Sequence, residues 1–227
     1  MPSLFRLDAS IRKEASVTRS IADTLQTAVL SGHDDVDVVA RDVGVSPVPA
    51  TAWADGVFAP HVPLDQRTPQ QGAALTLARD LADELITADA YIFALPFYNF
   101  GVSQHAKAWV DLVMTEPRFA PGADIEIAGR PAQLVVARGG GYGPGTPRHG
   151  WDHGTAWYRR ILADIWKLDL EIIECELTLA EVTPAMEGLR GLAADNLANA
   201  HAAARDNGAR LAARLRRRTL DLQATGS

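Results

Sequence analysis

The segment "AYIFALPFYNFGVSQHAKAWVDLV", residues 90–113, joins an unbroken apolar run to a helical pattern through one proline and three aromatics. The run Ala90–Pro96 shows no polar alternation, which is how a strand buried on both faces of a parallel sheet reads. A helical pattern resumes at about 103–115. Pro96, Phe97, Tyr98, Asn99 and Phe100 therefore lie where a strand ends. One aromatic at such a point has no functional weight. Three around an asparagine suggest the floor of a pocket for something flat and polar.

Outward from this segment the same alternation repeats. Runs rich in Val, Ile and Leu at 3–9, 36–42, 132–139 and 170–180 read as further buried strands. Helical patterns fall at about 16–31, 69–88, 151–168 and 184–218. Thr68, Pro69 and Gln71 form a capping box with proline in the first turn. Residues 43–67, with Pro47, Pro49, Pro60 and Pro63, read as a long irregular excursion. Asn207–Gly208 is a candidate break in the last helix, and Arg210, Arg214, Arg216, Arg217 and Arg218 read as its solvated, cationic end. The expected architecture is an α/β doubly wound sheet of five parallel strands with helices on both faces, one domain over 1–227.

With 227 residues and 47% hydrophobic residues, the chain can build a sizeable core. The mean hydropathy of -0.04 fits a globular, soluble protein. A net charge of -6 argues against nucleic-acid binding. No apolar stretch approaches a membrane span, and no signal peptide is expected after Met1, so the expected location is cytoplasmic. The single cysteine, Cys175, excludes internal disulfides and iron–sulfur clusters. Redox chemistry would need an organic cofactor.

In an open parallel sheet ligands bind at the carboxyl ends of strands, near the switch point. Three such loops are unusual. The first, "DASIRKEASVT", puts Ser10, Ser16 and Thr18 at a helix entrance, whose free N–H groups suit a phosphate; N-capping by Ser16 alone is the competing reading. The second is Phe97–Phe100, for which a core-edge aromatic cluster is the alternative. The third is "VVARGGGYGPGTPRHGWDHGTAW", where Gly139, Gly140 and Gly141 would let the backbone approach a ligand.

Together the three loops resemble the FMN-dependent NADH-azoreductases and NAD(P)H:quinone oxidoreductases of the flavodoxin-like fold. The family's Pro-Met-Tyr-Asn-Phe, followed by Leu-Lys and an aromatic, appears as "PFYNFGVSQHAKAW", with Phe97 for Met, Ala106 for Leu and Lys107 in place. Its Ser-Arg-Gly-Gly appears as Ala137, Arg138, Gly139, Gly140, and its early serines as Ser10 and Ser16-Val17-Thr18. The likeness runs to about residue 183 in the same order. It implies FMN held by residues 10, 16–18, 97–100 and 137–140, with Tyr98, Asn99 and Phe100 against the ring. It also implies a homodimer, NADH or NADPH as donor, and a ping-pong transfer of two electrons to a quinone or azo compound. No side chain need act as catalytic acid, base or nucleophile.

The sequence departs from the family in two further places. Ala137 lacks a hydroxyl, a loss of roughly 0.5–1.5 kcal/mol if it removes one hydrogen bond. The stretch 141–154 is unlike the short family loop and, with Trp53 and Phe58 of the excursion, suggests a pocket reshaped for a bulky aromatic acceptor. Tyr142 and His149 are substrate-side candidates, and the resemblance adds Phe119 as an aromatic wall for the neighbouring subunit's site. His149 and His153, with Asp152 between them, lack a helix and a third ligand, so no metal site is expected; a histidine here is a candidate proton donor. Trp109, Trp157 and Trp166 read as core or dimer contacts, and Cys175 as an inert buried residue. Two other classes remain: a flavodoxin-like electron carrier without enzymatic activity, and a flavin-free α/β protein that binds another phosphate compound.

Overall fold

The computed structural model describes residues 1–225, with side chains described to residue 220. Five strands, β1 (Ser3–Asp8), β2 (Asp37–Asp42), β3 (Ala90–Ala94), β6 (Pro131–Ala137) and β7 (Asp169–Cys175), form one parallel sheet in the order β2-β1-β3-β6-β7. This is the doubly wound, flavodoxin-like order, in which the chain turns from β1 to one side for β2 and to the other for β3. The loops after β1 and β3 diverge there and open a crevice. A two-residue hairpin, β4 (Phe97–Tyr98) with β5 (Gly101–Val102), stands beside it and was not foreseen from the sequence.

Alternation along the strands divides the core. Leu4, Ile92, Val135 and Ile173 pack under α1 (Val17–Gly32) and α6 (Arg190–Thr225). Phe5, Leu7, Tyr91, Phe93 and Leu134 face α3 (Pro69–Thr87), α4 (Gln104–Val113) and α5 (Thr155–Arg159). Trp109 and Trp166 are fully buried on that second side with their rings edge-on at 5.7 Å. Trp157 is half-buried, with Lys107 over its ring. The capping box at Thr68 and Gln71 forms as the sequence indicates.

Several expectations are corrected. The excursion 43–67 is not irregular throughout: it holds a short helix, α2 (Ala52–Phe58), and two 3-10 turns. The last strand stops at Cys175 rather than 180. The helix expected at 151–168 begins only at Thr155 and continues as a π-helical segment, Arg160–Ile165. Asn207–Gly208 does not break α6. Asn207 donates to buried Gln133 at 2.7 Å, and a Cβ on Gly208 would stand 2.6 Å from the Leu25 carbonyl oxygen, so this pair is where α6 touches the sheet and α1. Nor are all the terminal arginines simply solvated: Arg210, Arg214 and Arg218 pair with Glu171, Asp169 and Asp89 at strand entrances.

Candidate active site

A cavity of about 350 Å³ lies at the carboxyl edge of β1, β3 and β6, within the size range of small-molecule clefts. Its walls are the loop after β1 (Ser10, Ser16, Val17, Thr18), the hairpin (Phe97, Tyr98, Asn99, Phe100) and the segment after β6 (Ala137, Gly139, Gly140, Tyr142). Segments more than a hundred residues apart in sequence thus converge on one space.

The loop after β1 is fixed by charge. Arg6 on β1 grips Asp8 through two bonds and reaches Asp23 on α1. Arg19 pairs with Asp42 at 2.7 Å and donates to the Ser10 carbonyl at 2.7 Å, which bends the loop over the helix entrance. The Asp42 bond raises the Arg19 pKa against the opposing effect of burial. Burial pushes the Asp42 carboxyl up, but the Arg19 bonds and the Val45 and Gly44 amides outweigh it and hold the pKa low. Ser16 caps α1 by accepting from Arg19 N, and its hydroxyl lies 3.1 Å from that of Thr18. The N–H groups of Val17 and Thr18 donate to no protein acceptor among the described residues. The Ser16 cap thus leaves N–H groups open at the helix entrance, so capping and anion binding at this end are compatible.

The hairpin carries strain. Asn99 and Phe100 have φ of +49° and +66°, as a two-residue type I′ turn requires. The second position ordinarily holds glycine; a phenylalanine there costs roughly 1–2 kcal/mol. Ala15 and Leu177, also at positive φ, flank the same cavity. Strain of this kind persists where surrounding structure enforces it and collects at binding sites. The Tyr98 hydroxyl lies 3.3 Å from Ser10 Oγ and accepts from Ile11 N at 3.3 Å, tying hairpin to loop across the crevice. Buried Ser103 donates to the Ala9 carbonyl, and its amide donates to the Tyr158 hydroxyl, whose pKa burial raises.

The 141–154 loop is docked on this hairpin. His153 N donates to the Phe100 carbonyl at 3.1 Å. Phe97 meets Tyr142 edge-on at 4.9 Å, and Phe100 meets Trp151 at 5.7 Å. A Cβ on Gly154 would stand 3.0 Å from Gly101, so glycine is needed for the close approach. The loop's base is Arg138, only 7% exposed, which bonds Asp152 at 2.5 Å and Glu174 at 2.9 Å and reaches Glu176 at 3.4 Å. Burial, which would lower the Arg138 pKa, is outweighed by these carboxylates, so it rises. Burial likewise pushes Asp152 up, but the Thr155 hydroxyl and amide, Arg138 and the Gly154 amide outweigh it and hold the carboxyl below its ordinary range.

Three sequence-derived candidates stand elsewhere. Arg138 points away from the cavity into the carboxylate cluster just described. Phe119 is 1% exposed and packs on Trp166 at 5.3 Å, so it walls no site in this chain. His149 is exposed and outside the cavity lining. The glycines also make room for the protein's own side chains: a Cβ at 139 would stand 2.6 Å from Leu179, and Cβ atoms at 140 and 141 would crowd Arg148 at 3.0 Å and Thr146 at 3.1 Å. Their N–H groups nevertheless donate to no protein acceptor among the described residues. Arg12, Arg148, Thr178 and Leu179 line the cavity and were missed. The last two were read as strand, and Leu177 at φ +64° is what turns them inward. Cys175 is buried, with its thiol pushed up to about 11 by burial. No described helix is long and apolar enough to cross a membrane.

Fold and cavity define a flavodoxin-like α/β protein with a cleft at the β1/β3 switch point. The Flavodoxin_2 family, a flavodoxin-like fold, matches residues 3–202. An FMN-dependent NADH:quinone oxidoreductase of Frankia casuarinae is 38% identical over 207 residues, covering 90% of this chain and 98% of that one. An azoreductase from Bacillus anthracis superposes with a TM-score of 0.74 at 16% identity, over 92% of this chain and 100% of the other. A second B. anthracis structure, an FMN-dependent NADH-azoreductase in complex with FMN, gives 0.72 at 14% identity, over 93% and 100%. At these identities the two structures speak to the fold alone. The chain belongs to the Flavodoxin_2 family, with FMN-dependent NADH:quinone oxidoreductases as its curated relatives.

Proposed function

We propose that the chain is an FMN-dependent oxidoreductase that passes two electrons from a reduced nicotinamide dinucleotide to a quinone or azo compound. The observation that carries this reading is the convergence of the three loops on one cavity, with free helix N–H groups at one wall and a strained aromatic turn at another. The 38% identity to a curated FMN-dependent NADH:quinone oxidoreductase supports it.

The residues present fit FMN. Ser16, Thr18 and the open N–H groups at the start of α1 suit its phosphate, with Ser10 beside them. Phe97, Tyr98, Asn99 and Phe100 suit one side of its ring, and Ala137, Gly139, Gly140 and Val17 complete the walls. When bound, FMN supplies the two-electron chemistry between donor and acceptor. The protein's own work is to orient the ring, keep water from it, and present N–H groups of the glycine segment where negative charge gathers on reduction. Arg138 serves as the anchor of the wall rather than as a contact.

The finer features belong to the same proposal: a ping-pong order, NADPH as an alternative donor, a homodimer, a cytoplasmic location, one functional domain over 1–227, and a pocket reshaped by the 141–154 loop. Tyr142, buried against Phe97, is the substrate-side residue that the geometry favours. Initial rates measured over a grid of NADH and quinone concentrations test the reading. Parallel double-reciprocal lines are expected. No NADH-dependent quinone reduction, with flavin bound, would instead favour an electron carrier.

A further inference from the structure

Among the described residues no carboxylate lines the cavity, and Arg12 and Arg148 are its only charged side chains, although the chain carries a net charge of -6. Several other arginines are matched to acids: Arg6 to Asp8, Arg19 to Asp42, Arg118 to Glu116, Arg138 to Asp152. Arg12 is not among them, and neither is Arg148, which is exposed. Its side chain makes no ion pair or hydrogen bond among the described residues. Its guanidinium instead lies over Phe100, 5.8 Å from the ring centroid. One terminal nitrogen would stand 3.0 Å from a Cβ at Gly140. Nearby Glu176 is already engaged by Arg138 and the Tyr142 amide.

Arg148 thus spans the strained turn and the glycine segment, the two walls farthest in sequence from the hydroxyl loop. Arg12 belongs to that loop, where the phosphate of FMN accounts for it. The second cation has no such partner. An arginine fork held on an aromatic face has lost part of its freedom already and matches a carboxylate or sulfonate through two bonds. Tight turns at Thr146, His149 and Trp151 fix the backbone that carries it.

We propose that Arg148 is a specificity-determining residue that binds a negatively charged group, a carboxylate or sulfonate, on the aromatic electron acceptor while the acceptor's ring lies by Phe100 and Tyr142. The inference rests on the oxidoreductase reading above. The pyrophosphate of the nicotinamide donor is the other source of the same chemistry.

The test uses the full chain loaded with FMN, in wild-type, Arg148→Gln and Arg148→Lys forms. A naphthoquinone sulfonate and the matching uncharged naphthoquinone are compared as acceptors. The ratio of their kcat/KM values should fall about tenfold in Arg148→Gln, through KM for the sulfonate, and recover in large part in Arg148→Lys. Calorimetric affinity for 2-naphthoate should fall in parallel while that for 2-naphthamide does not. An unchanged ratio overturns the proposal, as does a loss expressed as a higher KM for NADH, which would place the charge on the donor. Wild-type protein that binds FMN but turns over neither quinone would instead sink the oxidoreductase reading, and 2-naphthoate binding would still report on Arg148.

Discussion

The two ends of the cavity are built by different means. The hydroxyl end, Ser10 to Thr18, is a regular strand-to-helix connection whose cap, free N–H groups and charged anchors all lie within or beside β1, β2 and α1. The aromatic end joins a two-residue hairpin in a strained turn to a loop that begins some forty residues later and is held by a buried arginine. The first end takes its geometry from secondary structure. The second takes it from tertiary docking, so its members depend on one another far more.

The largest effect should come from breaking that docking. Arg138→Met leaves Asp152 and Glu176, both mostly buried, without their cation. A loss of about 3 kcal/mol is expected, at the low end for a broken buried pair because Glu174 reaches solvent. Denaturant melts measure it. If the variant matches wild type, the loop is not anchored through Arg138.

The hydroxyl end should fail locally. Ser16→Ala with Thr18→Val removes two hydroxyl partners of a phosphate, so FMN affinity should fall roughly thirtyfold, about 2 kcal/mol, with global stability changed by less. Fluorescence titration with FMN reads this. Equal losses of fold stability in both variants would erase the distinction between the two ends.

Phe100→Gly sharpens the comparison from the other direction. Glycine relieves the second position of the turn, and the phenylalanine ring is 40% exposed, so stability should rise by about 1 kcal/mol. Turnover of aromatic acceptors should fall in the same protein. A destabilised variant would mean that contacts with Trp151 and Tyr142 outweigh the strain.

The smallest effect is a pH dependence. Asp152 is held below its ordinary range in the fold, so its contribution is present above the unfolded carboxylate pKa of about 3.9 and is lost as pH falls through the folded value. Wild type should therefore lose more stability on acidification than Asp152→Asn, whose curve lacks this component. Identical acid profiles would remove Asp152 from the account.

These differences also explain what could be read from sequence. The five strands and the order of loops followed from apolar runs and caps, because each signal is local. Ser16 and Thr18 announced a helix entrance in the same way. Phe97–Phe100 stood out by composition, yet the hairpin and its two left-handed residues did not, since Asn-Phe is not a usual turn pair. Arg148 and Leu179 reach the cavity only through folded contacts, with the Gly140 and Gly139 backbone respectively, which no spacing reveals. Phe119 is buried against Trp166, which a resemblance of position does not convey.

The most direct test of the central claim, that this cavity holds FMN for reduction by a nicotinamide donor, is the visible spectrum of the protein reconstituted with FMN. It is recorded before and after anaerobic NADH and again after a quinone. The account predicts flavin bands that NADH bleaches and the quinone restores, with weaker retention of flavin in the Ser16→Ala, Thr18→Val protein. A protein that takes up no FMN, or bound flavin that neither NADH nor NADPH bleaches, would contradict it.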